Sequence, residues 1–159
     1  MIDYSLSPSH TEVFQSKLLA GNGGKHIFNL RLSANRDNGT IRGLGAVVAF
    51  DEYAEANAPA TFAAKIVGKS ARGNWYVEVT EDADAVLVAE VPIFTSDDVR
   101  FQDMKLWYNK SGETVRAYGL AKHDIFEVSK EAFTTTPTDT SIGKAVSANA
   151  ASGKLVIAS

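Results

Sequence analysis

Short runs rich in β-branched and aromatic residues, each cut off by a turn pair, recur from one end of this chain to the other. Phe28, Leu30 and Leu32 alternate with Asn29 and Arg31, the two-residue period of a strand with one buried face. Runs of the same kind are Ala46–Phe50, Phe62–Val67, Trp75–Thr80, Ala85–Ile93, Met104–Tyr108, Thr114–Leu120, Ile125–Val128 and Leu155–Ala158. Asn38-Gly39, Gly73-Asn74, Ser111-Gly112 and Ser152-Gly153 stand between runs and supply the residues that tight turns need. Strands this short and this regularly punctuated point to an all-β fold, a compact barrel or sandwich of antiparallel strands.

Helix has two short places in this reading. Glu12–Ala20 makes two turns with Thr11 as the N-cap and Gly21 as the stop, and Asp51–Ala58, rich in Ala and Glu, ends before Pro59. Neither builds a helical layer. The 159 residues fit one domain at roughly 150 residues per domain. That domain is expected over residues 10–159, preceded by an extended polar arm over residues 1–9. Gly21–Lys25 reads as a glycine-rich connection, and Thr134–Ser141, around Pro137, as an extended crossover or surface loop.

The charge balance narrows the function. Sixteen Lys and Arg against nineteen Asp and Glu leave a net charge of −3, the wrong sign for neutralising phosphates, so no nucleic acid is expected as a partner. The chain has no cysteine, which removes disulfides, thiolate metal sites and cysteine nucleophiles. The first ten residues carry neither a basic nor an apolar signal region, and no apolar run nears the ~20 residues of a membrane span. Synthesis in the cytoplasm, with no membrane partner, is the expectation.

Each catalytic motif meets a physical objection. Ala63–Ser70 fits a relaxed phosphate-binding loop ending in Gly68-Lys69-Ser70. A phosphate cradle needs glycine where Ile66 and Val67 stand, and a helix where Trp75–Val79 reads as strand. Gly43-Leu44-Gly45 runs on to Val48 where a dinucleotide fingerprint needs glycine. His10, His26 and His123 lie in separate segments without metal-ligand spacing, and His123-Asp124 are neighbours that point to opposite faces of extended backbone. Glu81, Asp82 and Asp84, and likewise Asp97, Asp98 and Asp103, could ligate calcium, but neither group has the loop pattern, so both read as solvated turns. No catalytic, cofactor-binding or metal-binding residue is assigned, and no cofactor is expected.

Two aromatic pairs remain, Trp75-Tyr76 and Trp107-Tyr108. In a strand one member of each pair faces inward and the other outward, where it can stack on a sugar or anchor a protein. In the arm, Ile2, Tyr4 and Leu6 alternate and could line one face of a strand added to a neighbour's sheet, or cap an edge of the protein's own barrel.

The C-terminal part of the chain carries a resemblance. Val115–Ser129 gives strand, turn and strand; Ala132-Phe133, the Thr/Pro segment, Ile142-Gly143-Lys144 and a last strand in Gly153–Ile157 follow. This order resembles small virion proteins of tailed bacteriophages that decorate or cement capsids. The resemblance implies a non-enzymatic structural protein of the virion, held to the major capsid or another virion protein, and a homo-oligomer. Its expected interface residues are Ile2, Tyr4, Leu6, Trp75 and Trp107. The alternative is a carbohydrate-binding β-module that uses exposed aromatics.

Overall fold

A computed structural model describes residues 1–18 and 27–159. The chain is all-β, and the described residues contain no α-helix, only short 3₁₀ turns. Among the described residues eleven strands occur in the order β1 Val13–Phe14, β2 Ile27–Arg31, β3 Ile41–Ala49, β4 Glu52–Ala56, β5 Ala64–Lys69, β6 Trp75–Val79, β7 Ala85–Val88, β8 Thr114–Gly119, β9 Ile125–Val128, β10 Ala145–Ala148 and β11 Leu155–Ile157. They form a closed barrel in the order β2-β4-β3-β7-β8 and a six-stranded sheet in the order β1-β9-β6-β5-β10-β11. The expectation of barrel or sandwich resolves into a barrel with a sheet packed on it.

The β7 strand explains how the two layers join. All four of its residues are buried, because one face looks into the barrel and the other toward the sheet. Val86 and Val88 pack inside the barrel with Leu30, Leu32, Val115 and Ala117. Ala85 and Leu87 belong to a second cluster with Ile41 and Tyr118 of the barrel and Ile66, Trp75, Val77, Phe126 and Leu155 of the sheet. The continuous apolar run Ala85-Val86-Leu87-Val88 is therefore the signature of a strand buried on both sides. In β6 the alternation is strict: Trp75, Val77 and Val79 go inward, while Tyr76 and Glu78 stay partly exposed.

The pairing is antiparallel throughout, except that β2 runs parallel to β4 with Leu30 opposite Tyr53. Gly73 turns β5 into β6 at φ +82°, in open space. Gly153, at φ +73° between β10 and β11, has no room for a side chain: a Cβ there would lie 2.3 Å from the Ile41 carbonyl oxygen.

Several expected elements come out differently. Asp51–Ala58 is no helix; β4 occupies it, because pairing with β2 and β3 and ionic partners for Glu52 and Glu55 outweigh the helix preference of Ala and Glu. In the described part of Glu12–Ala20, Val13 and Phe14 pair with β9 and a turn closes from Gln15 to Leu18. Leu19, Ala20, the Gly21–Lys25 connection and His26 lie outside the described residues. Met104–Tyr108 begins as a 3₁₀ turn capped by the Asp103 carboxylate, and only Trp107 makes a bridge, to Ile2. No helix among the described residues is long and apolar enough to cross a membrane.

Candidate functional site

The strongest surface feature is the hairpin of β3 and β4. From Ile41 to Gly43 the β3 strand is paired with β7, but beyond Leu44 its only neighbour among the described residues is β4. The register shifts between Leu44 and Val47 and again between Val47 and Ala49, which bends the projecting end. Val47 and Val48 are both exposed there, and Phe50 at the tip is fully exposed, at 101% of its reference area. Asp51 completes the turn at φ +56°, a backbone region that Asp tolerates better than most residues, and its carbonyl accepts the Asn29 side-chain N–H at 3.0 Å. A fully solvated phenylalanine on an anchored turn contributes nothing to the core and is available to a partner. Covering it would stabilise a complex by about 2 kcal/mol.

A second apolar stretch follows β7. The Asn38 side chain holds the Glu90 backbone by both its groups, at 2.8 and 3.0 Å. Past this clamp the chain runs extended without joining a sheet, with Val91, Ile93 and Val99 exposed. Among the described residues, the N–H groups of Ile93, Phe94 and Thr95 find no hydrogen-bond partner. Two 3₁₀ turns then return the chain, capped by Asp98 and Asp103.

The five residues expected at an interface separate. Trp75 is 4% exposed and belongs to the core between the layers, so the outward member of its pair is Tyr76. Trp107 is half-buried and donates its indole N–H to Asn109 Oδ1 at 3.1 Å. Ile2 is 7% exposed and bridges to Trp107, whereas Tyr4 and Leu6 are exposed. The alternation that would put Ile2, Tyr4 and Leu6 on one face fails, because Leu6 adopts φ +58° and breaks the extended arm. Tyr4 instead sets its ring edge-on to Phe101 at 5.1 Å. The arm therefore buries Ile2 on its own domain rather than lying free of it. Sequence reasoning missed Phe50 as a surface anchor because a terminal apolar residue in an apolar run reads as core; its position beside Asp51, at the end of a strand, is the signal that could have found it.

The motifs weighed on the sequence find structural homes. Gly68 and Lys69 lie in β5, and Ser70 opens the turn into β6, so strand rather than helix follows Arg72. His123 points outward to Glu78 at 3.3 Å, while Asp124 is buried and accepts the Ala121 N–H. Asp82 accepts the Lys122 N–H at 2.8 Å. Among the described residues, no group of three or more His, Cys, Asp or Glu could hold a metal ion.

One buried charge cluster was not foreseen. Glu55 on β4 is almost wholly buried and receives Arg42 at 3.1 Å, Arg36 at 3.2 Å and the Ser33 hydroxyl. Both arginines also donate to the Ala151 carbonyl, and Arg42 to that of Ala150, tying the turn between β10 and β11 to the barrel. Burial pushes the Glu55 carboxyl up, but the hydrogen bonds from Ser33 and Arg36 and the charge of Arg42 outweigh it, and the net direction is down. Burial, reinforced by the neighbouring Arg36, moves Arg42 down as well. With Arg36 and Arg42 paired to Glu55 and tied to the 150–151 carbonyls, the cluster joins the two layers rather than presenting charge to a ligand.

Compared with family models, with curated proteins and with solved structures, the chain matches none.

Proposed function

We propose that this chain is a non-enzymatic structural protein of a tailed-phage virion, decorating or cementing the capsid through protein–protein contacts. The observation that carries the reading is the β3–β4 hairpin, which holds a fully exposed Phe50 beside exposed Val47 and Val48 on a turn tied to Asn29. A buried apolar anchor in a partner's pocket supplies much of the energy of a protein interface, and a repetitive shell multiplies each contact through avidity. The segment from Val91 to Val99 adds further apolar surface, with unpaired N–H groups at Ile93, Phe94 and Thr95 suited to a flat partner. The order of elements in the C-terminal part, which resembles capsid-decorating proteins, supports the same reading. A major capsid or other virion protein is the partner in this proposal, the assembled protein is a homo-oligomer, and its location is the virion.

The test is cryo-electron microscopy and mass spectrometry of purified virions carrying the gene, beside virions carrying Phe50→Ser. The expected result is density for a barrel-on-sheet protein at symmetric shell positions, strongly reduced by the substitution. Purified particles that lack the protein overturn the proposal.

A further inference from the structure

The arm is pinned to the domain at one short stretch. The Asp3 N–H donates to the Leu106 carbonyl at 2.6 Å, the Tyr108 N–H to the Met1 carbonyl at 3.0 Å, and the Met1 amine to the Tyr108 carbonyl at 2.8 Å. Residues 4–9 are exposed, and at His10 the chain meets the domain again, its N–H donating to the Lys105 carbonyl. The His10 ring lies between two carboxylates from different parts of the molecule. Nδ1 is 2.7 Å from Asp37 Oδ1, on the loop before β3, and Nε2 is 3.4 Å from Asp3 Oδ2, on the arm. The Tyr108 ring packs beside it, 5.2 Å away and tilted by 30°.

Donor counting gives this arrangement two states. A carboxylate only accepts, so a hydrogen bond from the ring to either one requires an N–H turned toward it. The imidazolium has two N–H groups and satisfies both. The neutral ring has one, and turns a lone pair toward the other carboxylate. The shorter contact, to Asp37, keeps the single N–H, so the contact that is lost is the one to Asp3. We propose that His10 is a proton-controlled latch: charged, it clamps Asp3 of the arm to Asp37 of the domain, and neutral, it loosens the arm.

The other charged and titratable groups around the ring are accounted for. From the loop before β3, Arg36 turns away to Glu55. From the 105–108 segment, the Lys105 amine lies 3.7 Å from Glu131 and the Tyr108 hydroxyl donates to Met1 Sδ. Hydrogen bonds from Ser5, and after them the contact with His10, hold the Asp3 carboxyl below its ordinary value, so Asp3 stays charged through the pH range of the test. On the arm itself, the Met1 amine is moved down by burial and could add a pH response of its own. Variants at the ring and at its partner separate the two.

The experiment follows amide exchange of the full chain by NMR at Asp3 and Tyr108, whose N–H groups close the arm contact, with Val77 in β6 as reference. Rates are normalised to the intrinsic exchange rate at each pH. Protection at Asp3 and Tyr108 is expected to fall about fivefold between about pH 5 and about pH 8, while Val77 is unaffected. Asp3→Asn offers the neutral ring an amide N–H for its lone pair, and His10→Gln removes the imidazole, so both should give flat profiles. An unchanged wild-type profile overturns the latch. An equal fall in either variant also overturns it and assigns the response to the Met1 amine.

Discussion

Glu55 is the residue on which two arginines depend, the buried Arg42 and the half-buried Arg36. Glu55→Gln leaves Arg36 and Arg42 without their counter-charge, and the expected loss is about 3 kcal/mol, measured by urea unfolding at neutral pH. The same carboxyl sets an acid response. Its folded value lies below the ordinary 4.5, so its contribution is complete above that pH and disappears as pH falls through the lower folded value. The wild type should lose this component on acidification below 4.5, and the Gln variant should not, because it has lost it already. Two glycines give a second contrast. Gly153→Ala meets the Ile41 carbonyl and the Thr40 side chain and should cost about 3 kcal/mol or more, whereas Gly73→Ala, in open space, should cost about 1 kcal/mol from backbone strain alone. Thermal unfolding of the pair reads the difference. The turn role of both glycines was legible in the sequence, since Gly73-Asn74 and Ser152-Gly153 are local signals. The place of Glu55 was not: its partners come from a loop and a strand far from it in sequence, and nothing in an Ala/Glu run reports that.

At the level of elements, most strands could be read where alternation is local, as in β2 and β6. Others could not. The first half of β3 carries Arg42 and Gly43, which blur the pattern, yet Arg42 is buried because Glu55 receives it. The β10 strand is Ala-Val-Ser-Ala, too weakly patterned to stand out, and it forms because β5 and β11 both offer it edges. The surface anchor was harder to read than the strands, because exposure of Phe50 depends on how far β3 runs past β7. Position in the pairing also separates two kinds of substitution. Leu87→Ala opens a cavity in the core between the layers and should cost about 3 kcal/mol in urea unfolding. Phe50→Ser should leave stability within about 0.5 kcal/mol, since the ring touches no core, and should act on association alone.

For the molecule as a whole, the arm is part of the stability account. Removing residues 1–9 uncovers Trp107 and gives up the burial of Ile2, so the expected loss is about 2 kcal/mol in urea unfolding. The polar composition of the arm pointed to a free segment, and one buried isoleucine with a pair of backbone hydrogen bonds decides otherwise. The pairing of early with late strands has another consequence, one of timing. The β2 strand closes the barrel against β8, with Ile27 opposite Tyr118, and among the described residues β1 pairs with β9 alone. On a ribosome, the segment that completes the barrel emerges roughly 90 residues after the segment it must meet, a delay of roughly 5–20 s at ordinary elongation rates. Through that interval the nascent chain holds unsealed apolar strands, so its yield in a cell depends on translation speed and chaperone capacity as well as on the stability of the finished fold.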